Sequence, residues 1–156
     1  MDAEKHPVIR ALRRSDVLAR RYIDYLIEHG QSYEGAPLPD GIARWPEGSC
    51  LEASEHLQNS NGLVRVQGWC LAPKSIVSSG EPFWHSFNTT DGKNAIDASL
   101  PDTTACFYFG LPGPFENPDA FDHMVLGKPA KRHNLIPPDL AVGAFSQTLK
   151  RSFRLF

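Results

Sequence analysis

The sequence lacks several features that mark common classes of protein. Three of its 156 residues are cysteines, and this small, odd number argues against a disulfide framework and favours a reduced compartment with at least one free thiol. The formal net charge is only −2, so charge does not indicate a nucleic acid or an anionic membrane as partner. No apolar run approaches the roughly 18 residues that suggest a membrane span. The N-terminus also lacks the apolar core of a Sec signal peptide.

These absences predict a protein that is made in the cytosol and folds as one domain. A chain of 156 residues with 41% hydrophobic residues has the size and the apolar content for one ordinary core. Export by a dedicated secretion system would leave no mark of this kind and stays open. Within the single domain, 1–156, we distinguish an N-terminal helical segment and loop (1–46), a core (47–110) and a C-terminal extension rich in proline and glycine (111–156).

The pattern of apolar residues predicts an α+β fold. Spacings of three and four residues indicate helices, and alternation of apolar and polar residues indicates strands. The predicted elements, in chain order, are a helical stretch over 7–29 in which Ser15-Asp16 could cap a second helix, a loop over 31–49, a helix over about 49–58, strands over 63–71, 83–88, 93–98 and 106–109, and a candidate final helix over 140–151. We therefore expect N-terminal helices and one further helix packed on a small antiparallel sheet of three to five strands.

Three residues in this plan have local settings that suit a catalytic triad. Cys50 follows the small residues Gly48 and Ser49 at the start of a predicted helix, where the helix dipole and a nearby imidazolium would both favour a thiolate. His85 lies in a predicted strand and would act as base and acid. Asp97 lies in the next strand and would orient the imidazole. Cys70, the competing nucleophile, lies in mid-strand, and Cys106 is predicted to pack in the core.

The spacing of His85 and Asp97 predicts that they are neighbours. The turn signal Asp91-Gly92 lies midway between them, which makes a hairpin of the two strands. Residues at equal distances from the centre of such a turn face each other across the strands and share one side of the sheet. We therefore expect His85 opposite Asp97.

The motifs of the core also resemble a known family. They are Gly48-x-Cys50 before a helix, Val64-Arg65-Val66-Gln67-Gly68-Trp69, His85-Ser86-Phe87, Asp91-Gly92 and Ile96-Asp97-Ala98-Ser99. Their order and spacing are similar to those of the transglutaminase-like cysteine superfamily, in particular its small bacterial and phage-type members. The resemblance implies a transglutaminase-like or papain-like core with Cys50, His85 and Asp97 as catalytic residues. In this chain Phe87 replaces the usual tryptophan, Ala98 the usual proline, and Gln67 the glutamate of the smaller proteins.

Other residues are candidates for binding the substrate or its oxyanion. Backbone N–H groups around Ser49, at the start of the helix, could receive an oxyanion. Trp45 could line the substrate groove or supply an indole N–H near the oxyanion. The side-chain amide of Gln67 could bind an oxyanion or a substrate carbonyl, and Trp84 could form a wall of the pocket. The sequence contains no C-x-x-C, H-x-x-x-H or glycine-rich phosphate motif, so we expect neither a metal nor an organic cofactor.

The function expected from these residues is amide chemistry through a thioester. The family resemblance implies a protease, a glutamine deamidase or a transglutaminase whose partner is a protein or peptide with a reactive amide. Small size and analogy suggest a bacterial effector, a toxin or a phage protein. Two alternatives stay open: a catalytically silent module of the same fold that binds a protein or peptide, and a peptidoglycan amidase. The sequence is silent on oligomeric state.

Overall fold

Three α-helices and five strands form the part of the chain that the computed structural model describes, residues 2–15 and 20–113. The predicted α+β class is confirmed. The α-helices are α1 at Pro7–Ser15, α2 at Arg20–His29 and α3 at Cys50–Asn61, and a short 3-10 turn at Ala3–Lys5 precedes them. The strands are β1 at Gln31–Gly35, β2 at Val64–Leu71, β3 at Phe83–Thr89, β4 at Asn94–Ala95 and β5 at Phe107–Pro112. The predicted final helix over 140–151 lies outside the described residues.

Local sequence signals explain where the helices begin and end. Pro7 is the first residue of α1, a position where the missing N–H costs nothing and the fixed φ suits a helix. The predicted helical stretch over 7–29 is two helices, α1 and α2, separated by residues outside the described part. Gly62 ends α3 in the left-handed conformation, with φ of 66°. Helix α3 therefore runs about three residues further than predicted, to the glycine itself.

The five strands form one curled sheet in the order β3-β2-β5-β1-β4. The two edges of the sheet meet, because Asn88 of β3 and Ile96, just after β4, exchange two backbone hydrogen bonds of 2.9 and 2.7 Å. Side chains alternate along each strand, so the curled sheet has an inner and an outer face. The inner face holds the apolar residues Tyr33, Val66, Cys70, Phe83, Phe87 and Tyr108. The outer face carries Trp69, Trp84, Phe109 and Leu111, which pack with α1, α2 and the start of α3.

Strand β1 corrects the predicted loop over 31–49. Tyr33 is the only buried residue among its five, so the strand has almost no periodic signal of its own. It exists because β5 pairs with it antiparallel on one side and β4 pairs with it parallel on the other. Both partners lie about 60 residues or more further along the chain, beyond the reach of a local pattern. The predicted all-antiparallel sheet is therefore wrong for the pair β1 and β4.

The predicted pairing of His85 with Asp97 is also wrong in register. Asp91 does form the turn, since its carboxylate accepts hydrogen bonds of 2.8 Å from the N–H groups of Lys93 and Asn94. The bridge between Asn88 and Ile96, however, sets the register so that Ser99 would lie opposite His85 if the pairing continued. An error of two residues keeps the same face of the strand, because side chains alternate with a period of two. Asp97 therefore still points to the side of His85.

Gly68 allows the strands beside His85 to approach closely. It pairs with His85 of β3 and with Gly110 of β5. A Cβ on Gly68 would lie 2.3 Å from the carbonyl oxygen of Phe109 and 2.4 Å from the Cα of Gly110, which is closer than real atoms approach. Strand β5 accordingly continues through Gly110 to Pro112, beyond the predicted end at 109.

Gly68→Ala should therefore destabilise the protein. The added methyl group would meet backbone atoms and not a movable side chain. We therefore expect the free energy of unfolding to fall by about 2 to 3 kcal/mol, towards the upper end for an overpacked core. Denaturant unfolding followed by tryptophan fluorescence would measure it. Val64→Ala on the same strand is the control, since Val64 is 44% exposed, and should cost less than about 1 kcal/mol. An equal effect of both variants would contradict the close approach inferred here.

Candidate active site

Cys50, His85 and Asp97 come together from three separate elements. Cys50 is the first residue of α3, His85 is the third residue of β3, and Asp97 follows β4 directly after the bridge residue Ile96. Their side chains are shielded from solvent, with residue exposures of 0%, 0% and 2%. Charges and hydrogen bonds among them are therefore screened little by water.

A tight turn places Cys50 at the N-terminus of α3. Gly48 has a positive φ of 84°, and the Ser49 N–H donates to the carbonyl oxygen of Pro46 at 3.3 Å. Ser49 is the residue that precedes the helix, but its hydroxyl also donates to Pro46 and caps no backbone N–H of α3. The first N–H groups of the helix thus donate no hydrogen bond to the side chain of Ser49. The predicted role of this helix start as a donor site for an oxyanion stays a prediction.

Asp97 is surrounded by hydrogen-bond donors. Its Oδ2 lies 2.6 Å from Nε2 of His85 and accepts a hydrogen bond of 2.9 Å from the hydroxyl of Tyr108. Its Oδ1 accepts bonds from the backbone N–H and the hydroxyl of Ser99, at 3.0 and 2.8 Å. Burial alone would raise the pKa of Asp97, but the positive charge of His85 and the hydrogen bonds from His85 and Ser99 lower it below its ordinary value. The carboxylate is therefore ionised although it is buried.

Burial and the neighbours Asp97 and Cys50 act on the pKa of His85 in opposite directions. Burial alone would lower its pKa, but the charge of the Asp97 carboxylate, the charge of a Cys50 thiolate and hydrogen bonding to both raise it well above its ordinary value. Cys50 thus acts on the pKa of the imidazole in the same direction as Asp97. The raised pKa favours the protonated imidazolium, whose Nε2 is bound to the Asp97 carboxylate.

The four predicted binding residues differ in where they lie. Ser49 directly precedes Cys50, as described above. The backbone N–H of Trp45 donates to the carbonyl oxygen of Ala98 at 2.8 Å, which places Trp45 beside the segment that carries Asp97. Trp84 packs in the same outer-face core as Cys50.

Gln67 does not reach the His85–Asp97 pair. It lies opposite Ser86 in the register of β2 and β3, whereas His85 lies opposite Gly68, so Gln67 points to the outer face and His85 to the inner face. Both polar atoms of its buried amide lack a hydrogen-bond partner among the residues described. The structure thus places Gln67 under the helical layer and not at the carboxylate–imidazole pair.

The two remaining cysteines behave as core residues. Cys70 lies inside the curled sheet with 0% exposure, and burial raises the pKa of its thiol well above the ordinary value. Cys106 is also buried, and its thiol donates to the carbonyl oxygen of Asp102 at 3.4 Å. A buried thiol that resists ionisation is a poor nucleophile, so Cys70 is not a competitor of Cys50.

Sequence reasoning missed Ser99 and Tyr108 as partners of Asp97. A signal for Ser99 was present, because a serine two residues after an aspartate often closes a local hydrogen-bonded turn. No comparable local signal existed for Tyr108, which lies in an aromatic run that indicated only packing. Its contact with Asp97 depends on how β5 lies in the sheet.

Comparison with protein-family models, with curated proteins and with solved structures gave no match. Over residues 2–15 and 20–113, no group of three or more histidine, cysteine, aspartate or glutamate side chains is arranged to bind a metal ion. Within the same ranges, no helix has the length and apolar character to span a membrane. The function must therefore be argued from the chemistry of the site.

The charges at this site should make stability depend on pH in a defined way. The raised pKa of His85 contributes stability that is complete below about pH 6.5 and is lost as the pH rises through the folded value. The lowered pKa of Asp97 contributes stability that is complete above about pH 3.9 and is lost as the pH falls. Asp97→Asn should therefore lower the free energy of unfolding most, by about 3 kcal/mol, between roughly pH 4 and pH 6.5.

Urea unfolding of wild type and Asp97→Asn at pH 5, 7 and 9.5 would measure this dependence. The matched control is Asp40→Asn, which removes an exposed carboxylate and should cost within about 0.5 kcal/mol at each pH. A loss that is the same at all three pH values in Asp97→Asn would show that packing, and not charge, causes it.

Proposed function

We propose that the protein is a thiol-dependent hydrolase or acyltransferase that acts on an amide. The observation that carries this proposal is the buried pair of Asp97 and His85, with a 2.6 Å contact, beside a cysteine at the N-terminus of a helix. These are the three parts that an activated thiol needs: a nucleophile, a base within reach and a group that orients the base.

Each residue has a defined step in the proposed reaction. Nδ1 of His85 takes the proton of the Cys50 thiol, and the thiolate sulfur attacks the carbonyl carbon of the amide. The negative oxygen that results is stabilised by backbone N–H groups at the start of α3. His85 then returns its proton to the leaving amine as the C–N bond breaks, which leaves a thioester on Cys50.

The thioester is resolved by a second nucleophile. Water or an amine loses a proton to His85 and attacks the thioester carbonyl, and the departing Cys50 sulfur recovers that proton. Throughout these steps Asp97 holds Nε2 and stabilises the imidazolium. Water as nucleophile makes the protein a protease, an amidase or a glutamine deamidase, and an amine makes it a transglutaminase.

The arrangement of elements supports a transglutaminase-like or papain-like core. The nucleophile helix α3 contacts β3, since the hydroxyls of Ser54 and Ser86 lie 2.7 Å apart and Asn88 donates to the Ser54 carbonyl oxygen at 3.0 Å. The chain order of cysteine, histidine and aspartate is also that of the superfamily the sequence resembles. A protein or peptide amide, a glutamine side chain and a cell-wall stem peptide are the substrates consistent with this chemistry.

Complete burial favours a second candidate, a silent binding module. Cys50 packs in the outer-face core with Trp69 and Trp84 and has no exposed surface. A small buried thiol of this kind can be purely structural. Under the enzyme proposal the site must open before the sulfur reaches a substrate, whereas the silent module needs no such opening.

Alkylation of Cys50 by iodoacetamide at several pH values distinguishes these candidates. In the wild type we expect the rate to fall less than about tenfold from pH 8.5 to pH 6, because the imidazolium maintains the thiolate. In His85→Ala we expect a fall of about 100-fold or more, as for an ordinary thiol that titrates near 8.5. Each fall in rate compares two pH values in one protein, so a difference between the proteins in how readily the site opens does not decide the result.

Peptide mass spectrometry would quantify each thiol separately, with Cys70 as an internal control in the same molecule. Cys70 should react slowly at both pH values in both proteins. A steep, ordinary pH dependence of Cys50 in the wild type would reject the enzyme proposal and favour the silent module.

Hydroxylamine trapping tests the thioester itself. The protein is incubated with a glutamine-containing peptide, a linear peptide or a cell-wall stem peptide, and hydroxylamine serves as the second nucleophile. We expect a hydroxamate from one of these classes, and its identity assigns the substrate. Cys50→Ala is the control and should form none, since no acyl-enzyme can form without the sulfur. Hydroxamate formation at an equal rate by Cys50→Ala would contradict the role given to Cys50.

A further inference from the structure

Tyr108 binds the same carboxylate oxygen as the candidate base. Its hydroxyl donates to Oδ2 of Asp97 at 2.9 Å, and Nε2 of His85 lies 2.6 Å from that oxygen. We propose that Tyr108 is a positioning residue of this site, which keeps the Asp97 carboxylate ionised and directed at His85. This inference rests on the function proposed above and goes beyond it, because neither the motifs nor the triad includes a tyrosine.

The burial of Asp97 gives the hydroxyl of Tyr108 its importance. An ionised carboxylate that water cannot reach depends on protein donors for its stability. Asp97 has four: two from Ser99 on Oδ1, and those of His85 and Tyr108 on Oδ2. Ser99 belongs to the same local turn as Asp97, and His85 gains or loses a charge. Tyr108 differs from both, because it is a neutral donor that comes from a separate strand. Its bond therefore persists whether or not the imidazole is protonated.

The sheet holds Tyr108 rigidly in this position. It lies in β5, where its neighbours are Cys70 in β2 and Tyr33 in β1. Its ring contacts that of Phe87, with 4.7 Å between centroids, and it has no exposed surface. Burial and the charge of Asp97 also raise the pKa of the phenol well above its ordinary value, so it remains a donor. The hydroxyl is thus fixed before any substrate arrives, which favours a positioning role.

Loss of this hydroxyl has a consequence that loss of packing does not have. Without the Tyr108 donor the carboxylate is less stabilised, so Asp97 takes up a proton at a higher pH. A neutral Asp97 no longer supports the imidazolium, and the thiolate of Cys50 is lost with it. The acid limb of the Cys50 alkylation profile should therefore move to higher pH, while the alkaline limb changes less.

Tyr108→Phe tests this inference, because it removes the hydroxyl and keeps the ring. The pH profile of Cys50 alkylation by iodoacetamide is recorded from pH 4 to pH 9 for wild type, Tyr108→Phe and Tyr33→Phe. We expect the acid limb of Tyr108→Phe to move up by about one pH unit, the size expected for a hydrogen bond to a charged group. Tyr33→Phe is the matched control, since Tyr33 lies opposite Tyr108 on the neighbouring strand β1, is also buried and contacts Phe87. Its profile should coincide with that of the wild type.

A second substitution covers the case in which Tyr108→Phe does not fold. Incorporation of 3-fluorotyrosine at position 108 keeps the shape of the ring and makes the phenol a stronger donor, so the acid limb should move to lower pH. A profile of either variant that superimposes on the wild type would overturn the positioning role. The proposed function fails separately, if the wild-type profile itself does not depend on His85.

Discussion

The carboxylate of Asp97 is buried, and the arrangement of the sheet supplies the hydrogen-bond donors that it needs. A charge without water requires several donors at hydrogen-bond distance, and here they come from separate parts of the chain. Ser99 supplies two from the local turn, His85 supplies one from β3 and Tyr108 supplies one from β5. In the order of the sheet, β3 lies at one edge and β5 at the centre, so a flat sheet could not surround one carboxylate in this way. The curl of the sheet is what brings these donors together.

Two features of the sequence make this curl possible. Gly68 and Gly110 let β2 and β5 approach more closely than side chains would permit, and the bridge of Asn88 with Ile96 joins the two edges. The outer face then supports the helices, since Trp69 and Trp84 pack with α1 and α2 and with Cys50 at the start of α3. His85 and Asp97 therefore lie on the side of the inner face, and the Cys50 thiol packs on the side of the outer face.

The sequence predicted those parts of the fold that have a strong local pattern. Helix α3 and strands β2 and β3 lie within a few residues of their predicted bounds, because a left-handed glycine ends the helix and the strands are rich in β-branched and aromatic residues. Strand β1 was missed, since a single buried tyrosine carries no period. The register of the hairpin was missed as well, because the turn alone does not specify where pairing begins. An error of two residues leaves a side chain on the same face of the strand, so Asp97 still contacts His85. The contact of Tyr108 with Asp97 depends on the order of the strands, which no local signal gives.

The composition of the site bears on the choice between an enzyme and a silent module. Replacement of a buried ion pair by apolar residues of similar volume is often neutral or stabilising, so a core that only had to pack would gain little from a histidine, an aspartate and a donating tyrosine. Here burial opposes the charges of both Asp97 and His85, and a specific set of partners reverses its effect on each pKa. Strongly perturbed groups cluster at functional sites, so their position beside a cysteine at a helix start supports the enzyme proposal. Under the enzyme proposal these are the groups that move a proton, whereas a silent binding module would need neither charge.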